Sequence, residues 1–479
     1  MTIKLINTAA FGSTAKYIGN VYARGVRDGI SKITCPVTGP WVRSMHNISY
    51  FPQVDGEYSV DLTAFTSAES TLFHTVTGTP SGNRVRFLRS PDYIYFQNQN
   101  ETYLSISEYC IADGTTTTVL ATTNYAYTAY VKFTVLDDRK VVVLVGKEDG
   151  DYMALNLVDF EAGTSTELTS FLINITSGDN VINLQPYRGN MVTTVHEGKT
   201  FTIISGWYFW EDTENDNAGS CFIIYDHTDD ITTTTYEFHT SDNNKKQASA
   251  NYYTRDVVVN GKVITFPSTQ SDTDSGLDDF ALAAFHVLDL DTLTHTVIEY
   301  DLPAEHDVVY AYGLIGDIAE NSVLAYYSDV WYPDPNKLIK IDLGTSAVTE
   351  VTTSAGGWSF AYGNDNIYIY SGTDDKWYDR DMTEMLAFAG PANGYNEADN
   401  MCIVLDESDD RIWYYDSTGP ALVGLRLSDG DEKTIAVTPT YPTVSPTRMT
   451  VLLLGDVFVL GKFKAATDVT EYYIVRNNA

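Results

Sequence analysis

The sequence predicts an all-β chain built from one repeated four-stranded unit, and three observations carry that prediction. Tight-turn signals recur at Ser90-Pro91-Asp92, Asp137-Asp138, Glu197-Gly198, Asn260-Gly261, Glu320-Asn321, Asn364-Asp365, Asp409-Asp410 and Gly455-Asp456. Counted from Pro91 they lie 46, 60, 63, 60, 44, 45 and 46 residues apart, a base unit with extra residues in three neighbouring copies. Each signal stands between short runs rich in Val, Ile, Phe, Tyr and Thr, and helical 3.6-residue patterning is almost absent. Four-stranded units of this length, repeated around a ring, are the blades of a β-propeller.

Residues 252–303 show the unit most clearly. Two apolar runs meet at Asn260-Gly261, a dipeptide suited to a type I′ hairpin because both central residues need positive φ. Two more meet around residues 289–294, where Asp and Thr side chains can bond nearby amides. Second strands such as KVVVLVG and GKVITFPS are nearly continuous apolar runs, as expected when both faces are buried; fourth strands such as TTTTYEF are Thr-rich and belong outside.

Before this region, residues 1–56 lie outside the repeat and predict an extended, Gly-rich, basic N-terminal arm; residues 57–479 form the propeller. Residues 57–76 look like a third-plus-fourth strand pair, and the C-terminal stretch supplies the first strands of a unit that lacks its fourth. The two ends are therefore expected to share a composite closing blade, which removes exposed sheet edges. Seven full units and this composite make eight blades, with seven as the alternative if the C-terminal tail is surplus.

Charge excludes one class of partner. The chain has 30 Lys/Arg against 64 Asp/Glu, a net charge of −34, yet residues 1–90 hold nine basic and five acidic residues. An acidic body of this kind repels nucleic acid, whose phosphates need clustered Lys and Arg. Nothing approaches the apolar length of a transmembrane helix, and the first residues lack the apolar core of a secretory signal. Cys35, Cys110, Cys221 and Cys402 are far apart and predict reduced thiols rather than a disulfide framework.

Catalytic signatures are missing: there is no HExxH, no G-x-S-x-G and no phosphate-cradling Gly-Lys-Ser/Thr loop. One acidic run, with Asp272, Asp274 and Asp278 around Gly276, has oxygen ligands and a bend suited to Ca²⁺, although it departs from EF-hand spacing; the alternative is a solvated acidic loop. Strand direction gives a candidate binding face. Loops joining strands two to three emerge together with those joining successive blades, and the extra residues fall mainly there, at 170–189, 206–219, 240–251, 267–280 and 328–336. That crescent contains Trp207, Tyr208, Trp210, Trp331 and Tyr332 among carboxylates, a combination that suits a protein surface or a sugar. The alternative is that these rings fold back to cover the blade tops.

In architecture, size and lack of enzymatic motifs, residues 57–479 resemble the propeller-containing tail and nozzle proteins of tailed bacterial viruses. The resemblance implies a non-enzymatic virion component, made in the host cytoplasm, whose arm and long-loop face dock on other virion or assembly proteins in an oligomer. The competing expectation is a propeller enzyme or lectin-like module that acts on or binds carbohydrate.

Overall fold

A computed structural model describes Gln53–Val54 and, between residues 68 and 477, the strands and most of their tight turns. The chain is an all-β protein of the β-propeller class, whose described strands form antiparallel four-stranded groups, some joined by further strands. We number these groups one to eight from the strands beginning at Phe87, Lys132, Met191, Arg255, Val308, Trp358, Val404 and Met449. Among the described residues, no helix is long and apolar enough to cross a membrane.

The apolar second strands follow from period-2 alternation between two neighbours. In sheet two, Val141, Val143 and Val145 join Leu88, Tyr95 and Ile106 of sheet one in a core cluster. The intervening Val142 and Leu144 pack instead with Met191, Ile204 and Ile223 of sheet three. Sheets three and four meet in the same way through Ile203, Phe222, Val258 and Leu288, and sheets four and five through Val257, Phe285, Val323 and Ile339. A run with both faces covered has no place for a polar residue, which is why it does not alternate.

The turns between strands three and four share a device that the sequence reading recognised only in outline. An Asp at the end of strand three accepts hydrogen bonds from amides two and three residues on: Asp159 from Glu161 and Ala162, both at 2.9 Å, and Asp342 from Gly344 and Thr345, both at 2.8 Å. The residue after this Asp turns inward against the preceding sheet. Phe160 lies 5.5 Å from the Tyr95 ring, Leu290 joins Phe201 and Ile203, and Leu343 joins Val257 and Val259. Sheet six has Arg380 at this position, and its Nη1 donates to Asp317 Oδ1 of sheet five at 3.0 Å. A buried ion pair there replaces the apolar plug.

The two chain ends share one group, divided differently from the expectation. The C-terminal stretch supplies three strands, Met449–Leu454, Val457–Lys464 and Val469–Asn477, and the N-terminal part supplies one, Ala68–Thr77. Residues 68–77 run antiparallel to Val469–Asn477 along ten residues, with an irregularity near Phe73. The expected extra strand before residue 68 lies outside the described residues. Ala68 and Glu69 also pair in parallel with Val437 and Thr438 of sheet seven. On the other side, the Phe73 ring stands 5.7 Å from Phe96 and 5.2 Å from Tyr109, and the His74 ring stands 4.4 Å from Phe96, all in sheet one. The proposed arm lies outside the described residues except for Gln53–Val54, which pairs in parallel with Thr194 and Val195.

Three histidines, His295 buried and His74 and His227 largely covered, make the packed sheets acid-sensitive. Burial pushes His74, His227 and His295 down to about 4. His74 Nε2 has no hydrogen-bond partner among the described residues, whereas His227 Nε2 meets Thr202 Oγ1 at 2.7 Å and His295 Nε2 meets His286 Nδ1 at 2.9 Å. Between pH 6.5 and 4 the unfolded chain binds protons that the folded chain refuses, so stability falls as pH drops through that window. Each histidine contributes on the order of 2–3 kcal/mol to the fall. Urea midpoints measured from pH 7 to pH 4.5 should decline, and His74→Phe, a ring that fits beside Phe96 and Tyr472, should flatten the slope. An unchanged slope in that variant contradicts the assignment for His74.

Candidate functional site

Among the described residues, the long-loop face is built most fully on sheet three, and there the structure corrects the expectation of loops. Residues 206–211 continue strand Lys199–Glu211, which runs 13 residues, and Asp216–Asp226 runs alongside it for 11. Register holds from Phe201↔Asp226 to Glu211↔Asp216. Part of the insertion at 170–189 is a second hairpin, Asn174–Ser177 with Asn180–Gln185. Its second strand pairs with 207–211 on the edge that Met191–His196 occupies nearer the turn. Trp207, Tyr208 and Trp210 therefore stand in a strand held from both sides, opposite Ser220, Gly219 and Asn217 on one edge and Gln185, Leu184 and Ile182 on the other. Alternating Val, Ile and aromatic residues are strand formers; Gly206 and the acidic run after Trp210 masked that signal in the sequence.

The extension grows from a rigid base. Ser205, Ser220, Cys221 and Phe222 are all buried. Burial pushes the Cys221 thiol up to about 12, so it stays protonated and is neither a nucleophile nor a metal ligand at neutral pH. Below it, Thr193 Oγ1 and Thr202 Oγ1 lie 3.0 Å apart, and Thr202 continues the chain to His227. This polar ladder is satisfied internally. Cys110 and Cys221 are free, as expected of unpaired thiols.

Trp331 and Tyr332, and the calcium candidates Asp272, Asp274 and Asp278, lie outside the described residues. What the described part of this face offers is an aromatic run on a paired strand that ends at Glu211; in the sequence, Asp212 and Glu214 follow. Aromatic faces supply contact area, and carboxylates accept hydrogen bonds from hydroxyls.

No protein-family model and no curated protein matches the chain. Solved structures similar to it include two peptidases and the β-propeller domain of a protease. Dipeptidyl peptidase 4 of Porphyromonas gingivalis is 10% identical, with 82% of this chain and 57% of that one covered at a TM-score of 0.44. The β-propeller domain of the Trilobed protease from Pyrococcus furiosus is 11% identical, with 77% and 96% covered at 0.37. The acylaminoacyl peptidase of Pyrococcus horikoshii is 10% identical, with 78% and 57% covered at 0.37. The chain thus spans little more than half the length of the two whole peptidases. These neighbours are two peptidases and the propeller domain of a protease, and none of the three is a virion protein; the expectation of a non-enzymatic virion component is corrected accordingly.

Proposed function

We propose that this propeller binds carbohydrate or a related polymer across its long-loop face and serves an enzyme that acts on that polymer. One observation carries the reading: the sheet-three extension places Trp207, Tyr208 and Trp210 on a strand paired along both edges, and an acidic stretch follows in the sequence. A paired strand loses little further conformational entropy on binding, which favours recognition by rigid aromatic residues. With a net charge of −34, the chain repels polyanions, so the favoured polymer is neutral.

Affinity electrophoresis of the full chain in gels containing neutral glucans, mannans or xylans tests this, with polygalacturonate as the acidic control. Retardation by a neutral polymer is expected. Trp207→Ala and Trp210→Ala should each weaken it about tenfold, the effect of losing one aromatic anchor, with little change in melting temperature. Release of reducing ends from the retained polymer then separates an enzyme from a purely binding module. Migration unaffected by all the neutral polymers overturns the proposal. If both Trp variants lose stability instead, the rings form a lid over the sheet.

A further inference from the structure

The opposite, tight-turn face carries three metal-ligating side chains that sequence distance conceals. His196 and Glu197 stand at the hairpin between strands one and two of sheet three, and Asp291 stands in the turn between strands three and four of sheet four. One ligand atom from each lies within 4.8 Å of the other two, and His196 Nε2 is 2.6 Å from Asp291 Oδ1. We propose that these three residues form a divalent transition-metal site, of the class that accepts imidazole and carboxylates as Zn²⁺ does, and that the ion ties sheet three to sheet four.

The donor set fits that class. Zinc takes nitrogen and oxygen ligands at about 2.0–2.1 Å and often keeps a position open beside three protein ligands. The proton now between Nε2 and Oδ1 gives way to the ion, and the two atoms part by about 0.7 Å to occupy two corners of a tetrahedral site. Two turns anchor the three ligands. Glu197 and Gly198 have φ of 46° and 80°, the left-handed pair of a type I′ hairpin. Asp291 belongs to a turn closed by Asp289, whose Oδ1 accepts from the Asp291 amide at 3.1 Å.

Space for the imidazole is provided by sheet four. The His196 ring lies over Gly261, where an added Cβ would stand 2.3 Å from Cε1 and 2.9 Å from Nε2. Gly261 also has φ of 76°, so the position favours glycine on both counts. The next junction serves as an internal control. Where sheet four meets sheet five, the corresponding positions hold Val259, Asn260 and Gly344, none of them an imidazole or a carboxylate, and Asn260 Nδ2 donates to Asn321 Oδ1 instead. The same architecture thus forms without ligands there. His196 is largely buried while Asp291 is 58% exposed, which leaves a solvent side for entry and for a bound water.

The test uses the full chain, freed of metal with a chelator. Titration calorimetry with ZnCl₂ should show one saturable site per chain, and CoCl₂ should give a visible absorption band characteristic of nitrogen and oxygen ligation. Zn²⁺ should raise the melting temperature. His196→Ala should weaken Zn²⁺ binding at least tenfold and abolish the cobalt band, and Asp291→Asn should weaken binding comparably. Melting of the metal-free variants checks that the fold persists; if His196→Ala unfolds, Asp291→Asn decides, because its side chain is the more exposed. The proposal is overturned by an absence of saturable binding, or by equal binding in Asp291→Asn and wild type, which would mark diffuse attraction of cations to the acidic surface.

Discussion

Deleting residues 465–479 is expected to yield an insoluble chain or to lower Tm by more than about 10 °C. The deletion removes strand Val469–Asn477, which pairs with Val457–Lys464 on one edge and with Ala68–Thr77 on the other. Tyr472 and Ile474 are buried there, and losing two such side chains costs about 3–6 kcal/mol before any strand pairing is counted. The larger effect is topological. Ala68–Thr77 loses its antiparallel partner, and the contacts of Phe73 and His74 with sheet one lose their support. Two sheet edges then become available for pairing with other chains. A soluble truncated chain that melts like the wild type would falsify the composite group.

Arg380→Ala should destabilise the protein by about 3–5 kcal/mol, the cost of leaving a buried charge without its partner. Asp317 is 3% exposed, and burial holds its carboxyl above the usual range even with Arg380 at 3.0 Å. The remedy should be chemical rather than steric. Arg380→Leu restores the apolar plug used in sheets two, four and five, and Asp317→Asn removes the stranded charge, so the double variant should recover most of the loss. Urea unfolding of the three chains measures this directly. An Arg380→Ala midpoint equal to that of the wild type shows that the pair contributes nothing across the junction.

The fold was legible in the sequence where local chemistry and long-range packing agree. Asn260-Gly261 adopts φ of 45° and 76°, as a type I′ turn requires, and the continuous run at 141–145 marks a strand covered on both faces. Spacing of the turn signals sufficed to find the units. The division of the composite group was harder, because Ala68–Thr77 follows a stretch whose Val, Thr and Phe content suits a strand equally well. Residues 206–211 read as a loop in the sequence because Gly206 and the acidic residues after Trp210 are turn signals, while pairing to the inserted hairpin is a tertiary effect that propensity does not report. His196 and Asp291 are 95 residues apart, and only the junction of two sheets joins them. Arg380 looks like a surface residue until it is aligned with Phe160, Leu290 and Leu343 in its repeat position.

Hydrogen–deuterium exchange on the full chain, with and without a neutral polysaccharide that retards it, tests the functional account most directly. Binding across the long-loop face should protect amides at 174–185 and 206–219, leaving the tight turns at 197–198 and 289–294 unchanged. Protection confined to those tight turns, or spread evenly over all the sheets, would contradict recognition by the sheet-three extension.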